Sequence, residues 1–240
     1  MARVRVKRKK GFINSLKTFK NRFSRAEVYS ILAAWFLLSL AFTKILLGSG
    51  VPTLFLLIAS MIALGTGFIT HELMHKFTAQ KFRYYAEFRI WLWGILLMLV
   101  TSLFGFIFAA PGATYFQPDP REQFMDPKGF IKRYGTISIA GPLINFVFGS
   151  VFLGLFYLFV FLSPVLISNT GLLYLALVIT GVGGYINFYL CAFNMLPINP
   201  LDGYKVFVWN KKYWAALFVV SVAISALILF GYLPLLFTLQ

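Results

Sequence analysis

Only two histidines occur in the 240-residue chain, and they bracket a glutamate in the run His71-Glu72-Leu73-Met74-His75. Residues four apart on a helix lie on one face about one turn apart, so both imidazoles can reach a single Zn²⁺. Glu72 lies about a third of a turn round the same helix, placed to act as a general base on water at that metal. This is the HExxH arrangement of zinc hydrolases. Two structural histidines are the competing reading, but a chain this poor in His and Glu rarely places them so by chance.

A catalytic zinc takes three protein ligands and keeps a position open, so with no third histidine a carboxylate must complete the set. The acids outside the motif are Glu27, Glu87, Asp119, Glu122, Asp126 and Asp202. Asp119, Glu122 and Asp126 share a hydrophilic loop with basic residues, and Ser24-Arg25-Ala26-Glu27 has the spacing of a helix cap. Asp202 stands apart. It follows an apolar run in Asn194-Met195-Leu196-Pro197-Ile198-Asn199-Pro200-Leu201-Asp202-Gly203, where two prolines break the helix and a glycine permits a sharp turn. An acid at membrane depth is costly unless paired or bound to metal. Asp202 is therefore the expected third ligand, with Glu87 second in line.

The elements that carry these residues are membrane spans. The chain is 60% hydrophobic and 12% charged, which places it among polytopic, all-α membrane proteins. Its net charge of +15 does not form a folded basic face, which argues against nucleic acid as partner. Apolar segments run about 28–48, 51–75, 88–116, 134–162, 172–198 and 213–237. All Lys and Arg except Lys44 fall in four groups: the tail, 76–89, 121–133 and 205–212. If every group is cytoplasmic, 88–116 must enter and leave on one side. The expectation is thus five to six transmembrane helices with a small re-entrant, membrane-associated β element, a full sixth helix being the alternative. Alternating residues at 84–91 and the punctuated stretch 110–116 supply the strands.

Residues 1–27 carry ten Lys or Arg and read as a cytoplasmic tail, either an amphipathic helix turning Phe12, Ile13, Leu16, Phe19 and Phe23 to anionic lipid headgroups or a disordered basic tail that sets topology. Residues 28–240 read as one domain, with the active site nearer the cytoplasmic side. Cys191 is expected to be a small buried apolar residue, Trp91, Trp93, Trp209 and Trp214 an interfacial belt, and Gly181, Gly183 and Gly184 a close helix contact. Asn187 and Asn194, seven apart, share a face that could line the active cavity.

HExxH on one span, Asn-xx-Pro followed by Leu-Asp-Gly on a later one, and Gly141-Pro142-Leu143-Ile144-Asn145 between them together resemble the site-2 protease family of intramembrane zinc metalloproteases. The resemblance covers about 65–210. It implies one Zn²⁺ held by His71, His75 and Asp202, Glu72 as general base, and Asn145 assisting at the substrate carbonyl, with Asn194 in the same element as Asp202. Transmembrane-helix proteins would be the substrates, unwound locally and held by strand addition to the re-entrant element, a role that proline at Glu87 or Arg89 would probe. Tyr204 stands where many members have a second glycine, and 92–109 looks like an insertion. The competing function is a non-proteolytic zinc-binding membrane scaffold or substrate-binding relative.

Overall fold

The computed structural model describes residues 23–164 and 170–230. Expectations for the basic tail up to residue 22 therefore lie outside the described residues. Helix α1 (Arg25–Leu46) starts where expected: Ser24 caps it, its hydroxyl accepting from the Glu27 N–H at 3.0 Å. Glu27 itself does more than cap. Its buried carboxylate pairs with Lys76 and accepts the Phe88 N–H at 3.0 Å. Lys76 also lies 4.1 Å from the centre of the Phe23 ring.

The motif-bearing span is one continuous run from Thr53 to Lys81, built as helix α2 (Thr53–Leu64), a π-turn (Gly65–Ile69) and helix α3 (Thr70–Lys81). Wider i→i+5 turns of this kind often mark functional sites. Here Thr66 and Thr70 bond back to carbonyls of the preceding turn, Thr66 Oγ1 lying 3.0 Å from both Ile62 O and Ala63 O.

The segment 88–116 folds back on itself. Strand β1 (Tyr85–Ile90) pairs antiparallel with β2 (Gly112–Gln117), from Tyr85 opposite Gln117 to Ile90 opposite Gly112. Between them lies α4 (Leu92–Leu103), 12 residues long and about 18 Å from end to end. That is too short to cross the ~30 Å hydrocarbon core, so both ends of the loop return to one sheet. The Lys44 ammonium donates to Ser102 O at 2.6 Å near the α4 C-terminus, while Tyr189 OH donates to Ile107 O at 2.6 Å on the returning limb. These two contacts tie both limbs of the loop to the spanning helices α1 and α7.

Helix α5 (Glu122–Met125) leads into α6 (Pro127–Leu162), which begins seven residues before the expected 134. Asp126 accepts the Gly129 N–H at 3.0 Å and Pro127 occupies the first turn, a strong helix start. Helix α7 (Thr170–Asn194) stops before Pro197, and α8 (Asp202–Trp209) and α9 (Lys211–Leu229) complete the chain's described part. Five helices among the described residues are long and apolar enough to cross a membrane: α1, the Thr53–Lys81 run, α6, α7 and α9. The protein is an all-α polytopic membrane protein with one two-stranded sheet.

The main core joins α1, α2 and α7 through Leu38, Phe42, Leu56, Ala63, Val182 and Ile186. A methyl on Gly183 would meet the Phe152 ring at 2.7 Å, so α6 and α7 touch closely there, and Cys191 is fully buried. The tryptophans divide. Trp91 and Trp93 are exposed, whereas Trp209 and Trp214 are half-buried and brace α8 and α9, Trp214 donating to Met195 O at 2.8 Å and Trp209 packing on Gly135.

Candidate metal centre

Helix α3 presents His71 and His75 on its inner face, and the turn after α7 delivers Asp202 to the same point. His71 Nε2 and His75 Nε2 are 2.9 Å apart, and Asp202 Oδ2 lies 3.3 and 2.9 Å from them. These separations suit three ligands of one small cation with bonds of about 2.0–2.2 Å. His75 Nδ1 is 2.8 Å from Ile137 O. A carbonyl only accepts, so the neutral ring carries its proton on Nδ1 and turns the Nε2 lone pair to the cluster. Lone pairs and a carboxylate converging in a buried place call for a cation. A methyl built on Gly141 would stand 2.4 Å from His75 Nε2 and 2.6 Å from His71 Nε2, so α6 keeps a glycine where the site needs room. The residues fit a zinc ion.

Asp202 is brought in by close backbone contact. A Cβ on Gly203 would lie 2.2 Å from the Met195 carbonyl, so only glycine lets the start of α8 settle against the end of α7. Lys205, one turn on, approaches Asp202 Oδ1 at 3.4 Å. Glu87 is elsewhere: the Ser24 hydroxyl donates to it at 2.9 Å and, with Arg89, holds its carboxyl below the usual range. It does not join the histidines, leaving Asp202 as the carboxylate beside them.

Glu72 is held by β2. Its Oε2 accepts the Thr114 N–H at 2.9 Å and the Thr114 hydroxyl at 2.8 Å. Nothing in the local sequence marks Thr114, because the contact joins residues 42 apart through a strand edge. The cluster opens into a cavity of about 330 Å³ whose walls include Phe68, Phe108, Tyr115, Phe116, Leu190 and Asn194. Asn145, expected at the substrate carbonyl, is placed differently. It is fully buried, away from the cavity lining, with Oδ1 2.5 Å from His71 Nδ1 and Nδ2 3.3 Å from Asn187 Oδ1. Asn187 is likewise fully buried and does not line the cavity, whereas Asn194 does.

No family model and no solved structure matches the chain. Two named relatives do. "Putative zinc metalloprotease MJ0611" of Methanocaldococcus jannaschii is 38% identical over 200 residues, 81% of this chain and 90% of that protein. "Putative zinc metalloprotease YwhC" of Bacillus subtilis is 32% identical over 165 residues, 61% of this chain and 66% of that one. With a His-His-Asp cluster built for a cation and similarity along nearly the whole of the first relative, this chain belongs to their zinc metalloprotease family.

Proposed function

We propose that the protein is an intramembrane zinc metalloendopeptidase of the site-2 type, hydrolysing peptide bonds in or near transmembrane segments of membrane-protein substrates. The observation that carries this reading is the placement of His71, Glu72 and His75 within the spanning run Thr53–Lys81, with Asp202 beside them. His71, His75 and Asp202 would hold one zinc per chain, with the amino terminus and the site toward the cytoplasm. Bound there, Zn²⁺ supplies Lewis acidity, bringing the pKa of water to about 7 and polarising the scissile carbonyl. Glu72 takes the proton from the attacking water and returns it to the leaving amine. Thr114 occupies one carboxylate oxygen, which leaves Oε1 for that proton. Asn194 uses one amide hydrogen on Leu190 O at 3.0 Å and keeps the other for the developing oxyanion.

A transmembrane helix shields its peptide bonds, so a substrate segment must unwind and have its backbone groups satisfied. Strand addition to a sheet edge does this. The edge of β1 is covered by α1, through Glu27 and the Phe88 N–H, while β2 lines the cavity. Ladder alternation turns the N–H groups of Gly112, Thr114 and Phe116 outward from β2, that of Thr114 being taken by Glu72, and turns the N–H groups of Glu87 and Arg89 inward to it. The receiving edge is therefore β2. Proline at Glu87 or Arg89 would break the sheet itself instead of probing the added strand.

The test is zinc content, with cleavage of co-expressed single-span proteins, in wild type, E72Q and D202A. Wild type and E72Q should hold one zinc per chain, only wild type should cleave, and D202A should lose metal. A wild type without zinc would sink the reading, and zinc without any cleavage would move it to the scaffold.

A further inference from the structure

Asn187 sits on α7, two steps from the metal cluster and with no place on the cavity wall. Its Nδ2 lies 2.9 Å from Gly183 O and 3.4 Å from Ala63 O, the latter just before the π-turn. Both partners are backbone carbonyls, which can only accept, so the NH₂ end of Asn187 must face them. Its Oδ1 then points the other way and takes a hydrogen from Asn145 Nδ2 at 3.3 Å. Asn145 is oriented in turn, and its Oδ1 faces His71 Nδ1 at 2.5 Å. That nitrogen must carry the proton, so His71 Nε2 is left as a lone pair toward Asp202. Each step fixes the next, beginning from two carbonyls that cannot donate. All three residues are buried, Asn145 and Asn187 at 0% exposure and His71 at 4%, so bulk water is poorly placed to substitute.

We infer that Asn187 is a positioning residue for the metal centre: through Asn145 it locks His71 in the tautomer whose Nε2 is free to ligate. This rests on the reading that His71, His75 and Asp202 hold zinc. Partners behind ligating histidines commonly change metal affinity by about 10–100-fold when removed.

The experiment is zinc titration of the full-length, metal-stripped protein in detergent against a chromophoric chelator. Wild type is compared with N187L, N145L and the N145L/N187L double variant, all with the three ligands intact. N187S serves as a second variant; its hydroxyl can still reach back to Gly183 O but is too short to reach Asn145. Elution and helical circular dichroism identify folded samples. The inference expects zinc affinity to fall about 10–100-fold in N145L, to fall in N187L and N187S, and to fall no further in the double than in N145L. Wild-type affinity in N187L and N187S would overturn it while leaving the protease reading intact. Losses that multiply in the double would overturn it too, since they would mean that Asn187 acts on the fold independently of Asn145. A wild type that binds no zinc would overturn both.

Discussion

Glu72 is tethered to a neighbouring strand by two hydrogen bonds, and this makes Thr114 a gauge of how far its aim matters. T114V keeps the backbone N–H to Glu72 and loses the hydroxyl. A hydrogen bond to a charged group contributes about 1.5–3 kcal/mol, so turnover should fall roughly 10–100-fold with zinc content and KM little changed, and T114S should restore it. Steady-state kinetics on a purified single-span substrate decide this. Gly141 offers a second check: G141A puts a methyl against both Nε2 atoms, and metal analysis should find its zinc largely lost although every ligand remains. At this scale the sequence was most informative where spacing is local. His71, Glu72 and His75 are legible because one helix sets their geometry, and Asp202 because the prolines and glycine around it mark a turn beside a costly acid. Thr114 and the role of Asn145 were not legible, since each depends on which side chain a distant helix or strand presents.

Among the elements, the Glu27–Lys76 pair joins the start of α1, the motif helix and β1 at one buried point. Removing one member of a buried pair typically costs about 3–5 kcal/mol, because the other charge is stranded. E27Q and K76M should each lower thermal stability in detergent markedly, and the E27Q/K76M double should lose less than the sum of the two. The β2 edge can be tested with F116P. Its N–H points away from β1, so proline there should spare the ladder but impair substrate cleavage, raising KM more than it affects zinc content. The return of 88–116 was readable from charge, since a crossing would have stranded Arg121, Lys128, Lys132 and Arg133 on the other side. The early start of α6 was also written in Asp126-Pro127, a cap signal hidden by the polar residues that follow it. Glu27 read as a cap because its long-range partners leave no trace in the local pattern.

For the whole molecule, five spans and one folded-back loop put residues 49–52 on the face opposite the 118–126 loop. Cysteines introduced at exposed Thr53 and Gln123 should label from opposite sides with a membrane-impermeant maleimide, Gln123 from the cytoplasmic side, while buried Cys191 stays silent. Composition made the membrane class plain, and the basic groups pointed to the folded-back loop; how that loop is held came only from Lys44 at the end of α4 and Tyr189 on the returning limb. The π-turn at Gly65–Ile69 has a consequence for how this span tolerates change. It acts as a phase shifter: the extra residue in its turn lets the lipid-and-core pattern of Thr53–Leu64 and the ligand pattern of Thr70–Lys81 keep separate angular registers on one rod. Were the same residues to close into regular α-helix without it, both histidines would swing about 100° round the axis, away from Asp202. Substitutions along the span can thus accumulate on either side of the joint so long as the wide turn itself is kept.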